Sequence, residues 1–143
     1  MNKLDIFELN VQENLEQYLK LISQLKETNL SETQLKNIIL NLPNNHKIFV
    51  AKLNNNIIGS ITFILEQKII HSGKAVLHIE DVVVSKESRG LGVASKLLEY
   101  SKIYAKNNNC YKIILDCDQK LEGFYKKNGF ENKNIQMSYY YDN

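Results

Sequence analysis

Of the eighteen basic residues in the chain, only Arg89 is an arginine. There is one proline, Pro43, and there are two cysteines, Cys110 and Cys117. No apolar run approaches the roughly 18 residues of a membrane span. The start, MNKLDIFELN, carries acidic residues where a signal peptide has its apolar centre. A net charge of +2, with lysines interleaved among glutamates and aspartates, is too small and too scattered to hold nucleic acid. These absences leave a soluble, cytoplasmic protein with neither nucleic acid nor membrane as partner. The two cysteines stand seven positions apart near one predicted strand. Extended backbone at about 3.3 Å per residue separates them by roughly 23 Å, too far for a disulfide. Neither has histidine or further cysteine at metal-ligand spacing, so no metal is expected. Two reduced thiols in or near the core are the expectation.

What is present suits one domain over residues 1–143, long enough to bury a core. LDIFELN begins as a strand. From Asn14 the apolar positions Leu15, Tyr18, Leu19, Ile22 and Leu25 form a helix face. Ser31 to Gln34, SETQ, is a capping box, followed by Leu35, Ile38, Ile39 and Leu42 at helical spacing and a stop at Pro43. KIFVAKL and IIGSITFILE flank a run of asparagines and read as a hairpin. A long strand is expected over Ala75–Ser85 and a helix over Leu91–Asn107. YKIILDC is nearly all apolar, so a strand covered on both faces is expected. A short helix over Lys120–Asn128 closes at Gly129, a candidate left-handed cap, and NIQMSYYY reads as a last strand. The order is βααβββαβαβ, an α/β (α+β) domain.

SRGLGVASK, Ser88 to Lys96, is a glycine-rich turn running into a helix. A helix start offers unpaired amides and partial positive charge, glycines admit a close backbone approach, and an arginine grips a diphosphate with two hydrogen bonds. Arg89, Gly90, Leu91, Gly92, Val93 and Ala94 fit that task. A tight loop that simply requires glycine explains the same residues. A P-loop is excluded, because no G-x-x-x-x-G-K-[ST] occurs. A dinucleotide fingerprint would place Ser95 at its third glycine and Asp116 at the ribose. Against it, several residues separate the strand from Gly90, and a meander of strands precedes the unit.

Arg89, Gly92 and Ala94 also match R-x-x-G-x-A. This loop resembles the coenzyme A diphosphate loop of the GNAT acyltransferases, and the element order resembles theirs. EQKIIHS, HIEDVVVS, CYKIILDCDQK and FYKKNGF follow in order at natural spacing. Together they closely resemble the eukaryotic glucosamine 6-phosphate N-acetyltransferases, most strongly over Ile57–Phe130. The resemblance implies a GNAT fold, with a mixed, mostly antiparallel sheet splayed at the cofactor site and flanked by helices. It implies acetyl-CoA as cosubstrate, no metal, and acetyl transfer by direct attack to the amine of D-glucosamine 6-phosphate on the way to UDP-N-acetylglucosamine.

Transfer from a thioester to an amine needs a neutral amine close to the carbonyl, and it is helped by a proton donor to the departing thiolate. By resemblance Tyr125 is that donor, Asp116 holds the amine near the thioester, as orienter first and general base second, and Glu80 and Asp81 contribute to the sugar site. Strand alternation sends Glu80 and Asp81 to opposite faces. Val82, Val83 and Val84 are expected to offer backbone groups to the pantetheine arm, and Lys120 to lie near the thiol. Lys68 and His71 are placed by resemblance in a loop over the sugar. Neither cysteine has a base beside it, which argues against a covalent intermediate.

Two features depart from the family. Its last strand carries an arginine for the sugar phosphate, where this chain has Tyr140. Its first helix ends in Leu-Thr at the substrate mouth, where this chain has Leu25-Lys26. Lys26, with Lys68, is expected to supply the missing positive charge. Family members are intertwined homodimers, and Tyr139–Tyr141 is a candidate dimer strand. A different amine substrate within the superfamily, or a non-catalytic nucleotide-binding module, are the competing readings.

Overall fold

The computed structural model describes residues 3–141. Strand β1 covers Leu4–Glu8, helix α1 Leu15–Leu25 and helix α2 Glu32–Leu40. Strands β2, β3 and β4 cover His46–Leu53, Asn56–Gln67 and Ala75–Val84. Helix α3 is Val93–Asn107, strand β5 Cys110–Ile114 and helix α4 Glu122–Lys127. Short 3₁₀ turns at His71–Gly73, Lys86–Ser88 and Gln119–Leu121 join them.

The local signals act as their chemistry requires. Asn14 caps α1 by accepting from the Gln17 amide at 3.0 Å. At α2 both halves of the capping box form, Ser31 Oγ accepting from the Gln34 amide at 3.1 Å and Gln34 Oε1 from the Ser31 amide at 2.9 Å. Asn54 and Asn55, at φ of 51° and 65°, make the two-residue turn that joins β2 to β3.

The sheet order is β1-β2-β3-β4-β5. The first three pairings are antiparallel and β4–β5 is parallel. Alternation along each strand feeds one apolar cluster per face. Phe49, Ile61, Phe63, Leu77 and Ile79 pack under Val93, Leu97 and Leu98 of α3. Val50, Ile57 and Val83 pack under Leu15, Tyr18 and Leu21 of α1 and Leu35 of α2. Gly59 lets α3 come down onto β3, since a Cβ there would stand 3.0 Å from Val93 Cγ1.

Three expectations are corrected. Residues 131–141 form no strand, and among the described residues nothing pairs with the outer edge of β5. An unpaired edge also explains why β5 is not covered on both faces: Lys112 and Ile114 are exposed. For the same reason Cys110 is only half-buried, and Cys117, beyond the strand end, is exposed.

Candidate functional site

The parallel ladder between β4 and β5 starts at Ala75↔Cys110 and ends at His78↔Ile114. β4 continues alone on that side to Val84. The sheet is therefore open between the carboxyl ends of β4 and β5. Val82 to Val84, expected beside the pantetheine arm, border this opening.

Within the opening β4 carries a bulge. Its register to β3 steps from Thr62↔Glu80 to Ser60↔Val83, so β4 holds one extra residue, and Asp81 takes φ of 50°. The extra residue reverses the facing of every position after it. Leu77 and Ile79 face α3 before the bulge, whereas Val83 faces α1 after it, with Val82 and Val84 turned to the α3 side. Glu80, next to Ile79, thus lies on the α1 face. Asp81 is the residue at the bulge, and its charge acts on both Glu80 and Tyr18 of α1. Strand alternation, which had sent Glu80 and Asp81 to opposite faces, is interrupted there, and both carboxylates are exposed.

Asp116 joins them. It lies two residues beyond β5, near enough for its charge to act on Glu80. Partial desolvation of its carboxyl, reinforced by the charges of Asp81 and Asp116 and opposed by His78, pushes Glu80 above the ordinary glutamate range. Gln136 Nε2 donates to Asp116 Oδ2 at 3.0 Å, a contact that no motif in the sequence signals. Nor does any motif signal Tyr18, whose hydroxyl is pushed up to about 12, chiefly by burial.

Tyr125 approaches from the α3 side, where Phe124 and Phe130 meet its ring edge-on. It is buried, with 9% of its surface exposed. Burial and the neighbouring Cys117 raise its pKa, so the phenol keeps its proton at neutral pH. Lys120 is exposed in the turn that precedes α4.

The loop from β4 to α3 has the shape an anion needs. Gly90 and Gly92 take φ of 83° and 76°, and a Cβ on either would meet nothing within 4 Å. The glycines are there for backbone conformation, and the space above them is open. Gly92 is the cap of α3 and provides no side-chain bond, so the amides of its first turn have no partner from the cap. Arg89 is exposed beside them. The free strand edge, the open glycines and the unpartnered amides fit the arm and diphosphate of coenzyme A.

The remaining candidates lie elsewhere. Lys26 is the exposed residue that ends α1. Lys68 pairs with Glu66 at 2.9 Å, and Glu66 also meets His78 Nε2 at 2.8 Å. His71 stacks on Tyr111 with ring centroids 3.9 Å apart. Both precede Ala75, at the opposite end of β4 from Glu80, so this chain does not bring Lys68 and His71 to its own carboxylates. A groove of 970 Å³ runs between β5, α3, α4 and residues 129–136. Asp116 and Tyr125 line it, but Glu80, Arg89 and the valines of β4 do not. It follows the vacant edge of β5, and the candidate site is the opening beside β4. Among the described residues no cluster of three or more histidine, cysteine, aspartate or glutamate side chains is placed to hold a metal ion. No described helix is long and apolar enough to cross a membrane.

A mixed sheet opening beside a glycine loop at a helix start defines the class of coenzyme A-dependent acyltransferase folds. The profile of the acetyltransferase (GNAT) family matches residues 6–130, and the chain belongs to that family. It is similar to the glucosamine 6-phosphate N-acetyltransferase of Candida albicans, 31% identical over 121 residues, covering 83% of this chain and 81% of that one. It is 42% identical to the Arabidopsis thaliana enzyme of that name over 84 residues, 59% of this chain and 55% of the relative. The chain spans between 47% and 63% of the length of three plant relatives it matches. The crystal structure of the Arabidopsis thaliana glucosamine-6-phosphate N-acetyltransferase superposes with a TM-score of 0.91 at 29% identity, over 98% of this chain and 99% of that one.

Proposed function

We propose that this chain transfers the acetyl group of acetyl-CoA to the 2-amino group of D-glucosamine 6-phosphate, giving N-acetylglucosamine 6-phosphate for UDP-N-acetylglucosamine synthesis. One observation carries the reading: where the β4–β5 ladder ends, Asp81 and Asp116 stand near enough to Glu80 for their charges to act on it, and a buried, protonated Tyr125 packs on the α3 side. The names of the relatives support the same substrate.

Arg89 and the backbone of Gly90, Leu91, Gly92, Val93 and Ala94 hold the diphosphate. Val82, Val83 and Val84 line the arm with backbone groups, and Lys120 lies toward its thiol end. When bound, the thioester supplies the activated acetyl carbonyl. Asp116 orients the sugar ammonium toward it. Carboxylates beside an ammonium raise its pKa, so a base is required. Glu80, with its own pKa raised, takes that proton through water more readily than an ordinary carboxylate. Tyr125 gives its hydroxyl proton to the departing sulfur. Asp81 binds the sugar, and Lys26 with Lys68 neutralises the phosphate in place of the arginine that Tyr140 replaces.

Lys68 and His71 reach such a site only when two chains combine, so the proposal includes an intertwined homodimer. The exposed Ile135, Met137, Tyr139, Tyr140 and Tyr141 are the surface it would cover. Deleting residues 134–143 should leave a monomer by sedimentation, with activity largely lost. A dimer of unchanged mass after the deletion removes the tail from the interface. A single domain in a reducing, cytoplasmic compartment completes the reading, and two unpaired thiols suit it.

The test is thiol release from acetyl-CoA with glucosamine 6-phosphate, glucosamine and a peptide amine as acceptors. Release should be fastest with the phosphorylated sugar. Equal or faster release with glucosamine would assign the loss of the C-terminal arginine to a change of substrate.

A further inference from the structure

The diphosphate loop hangs from a short turn whose cap residue gives it no side-chain bond. Ser85 precedes the 3₁₀ turn Lys86–Ser88 and makes no side-chain bond to it. The bond comes from another helix: Gln24 Oε1 of α1 accepts from the Lys86 amide at 2.9 Å. The Ser85 amide donates to the Ile58 carbonyl at 2.8 Å, and the Ser88 amide to the Ser85 carbonyl at 2.9 Å. These three bonds set the course of the chain from β4 to Arg89. Gln24 is the only side chain among them.

Gln24 has a counterpart two turns earlier on the same helix. Gln17 Oε1 accepts from the Ile57 amide at 2.9 Å, and its Nε2 donates to Asn56 Oδ1 at 3.1 Å. Both glutamines fix α1 to the sheet, but only Gln24 does so at the root of the loop.

We infer that Gln24 is a positioning residue for coenzyme binding, holding the Lys86–Ser88 turn so that Arg89 and the amides after Gly92 face the diphosphate. This rests on the reading of Arg89–Ala94 as the diphosphate loop. An acceptor lost from one backbone amide corresponds to a change of roughly three- to tenfold in an equilibrium constant.

Four variants test it, with the dissociation constant for coenzyme A measured by calorimetry beside KM and kcat. Gln24→Met keeps the length of the side chain and removes the acceptor. It should weaken coenzyme A and raise the KM for acetyl-CoA about three- to tenfold, with kcat and the sugar KM within about twofold. Gln24→Glu keeps an acceptor oxygen and should restore the affinity at about 0.15 M salt, where the added charge is screened beyond roughly 8 Å. Gln17→Met loosens the same helix away from the loop and should leave coenzyme affinity unchanged. Arg89→Ala should weaken coenzyme A by itself. Equal losses in the Gln17 and Gln24 variants, or no rescue by glutamate, would overturn the inference, as would normal affinity in Gln24→Met. Normal affinity in Arg89→Ala would overturn the reading of the loop itself.

Discussion

The two ends of β4 are built for opposite purposes. At the Ala75 end the strand has neighbours on both sides, and its charges are matched: Glu66 meets Lys68 and His78, and His71 lies flat on Tyr111. At the Val84 end β5 is gone, a bulge interrupts the alternation of the strand, and the charges of Asp81 and Asp116 act on Glu80 against the weaker opposing charge of His78. Unmatched like charge raises pKa values and opposes folding. On the proposed reading, the ammonium of an amino sugar is the cation that offsets this excess of negative charge.

The largest effect is expected where the buried end meets the reaction. Tyr125→Phe keeps the packing against Phe124 and Phe130 and removes only the proton. It should lower kcat about 100-fold, the lower range for general acid catalysis. Steady-state rates within threefold of the parent would take the proton donor away from Tyr125. Next comes the charge that the sugar phosphate needs. Lys26→Ala should raise the KM for glucosamine 6-phosphate roughly tenfold, in line with a charge-assisted hydrogen bond. The KM for acetyl-CoA should hold. An unchanged sugar KM would leave Lys26 without a role.

How much of this contrast was legible in the sequence depends on whether the signal was local. The capping box at Ser31, the asparagine turn and the glycine loop are short patterns that fix their own geometry, and they form as read. The nine elements from Leu4 to Lys127 followed from such signals together with apolar spacing. The bulge at Asp81 did not, because nothing in HIEDVVVS marks an extra residue. It becomes visible only against the register of β3, and with it the alternation of Glu80 and Asp81 is interrupted. Gln24 and Gln136 were illegible for a related reason: each bonds a partner 62 or 20 residues away. The tail misled, since alternating apolar residues in NIQMSYYY predict a strand, and none forms over residues 134–141.

A smaller effect separates conformation from contact in the loop. Gly92→Ala puts a Cβ into open space but at φ of 76°. The left-handed backbone alone should destabilise the fold by about 1–2 kcal/mol. Gly123→Ala also enters open space, but inside α4, where alanine is the better helix former by up to about 1 kcal/mol. Thermal denaturation should therefore move in opposite directions for the two variants. A shift of the same sign would mean that the loop is not held in the conformation described.

The smallest effect tests the carboxylate face directly. Glu80 acts as a base only when ionised, so the acid limb of kcat/KM should lie above the ordinary glutamate range. Asp81→Asn removes one of the charges that raise it. The Glu80 pKa then falls, and the acid limb should move to lower pH. The same linkage has a second, opposite reading in stability. A carboxyl whose folded pKa is raised binds its proton more tightly in the native state, so its ionisation weakens the fold as pH rises through that pKa. Glu80→Gln should therefore raise the melting temperature at pH 7, while near pH 4, where the carboxyl is largely protonated, the gain should shrink. The variant should be more stable and less active, which is the expected mark of charge kept for chemistry. A gain independent of pH would place the instability in packing around Glu80 and remove the electrostatic difference between the two ends of β4.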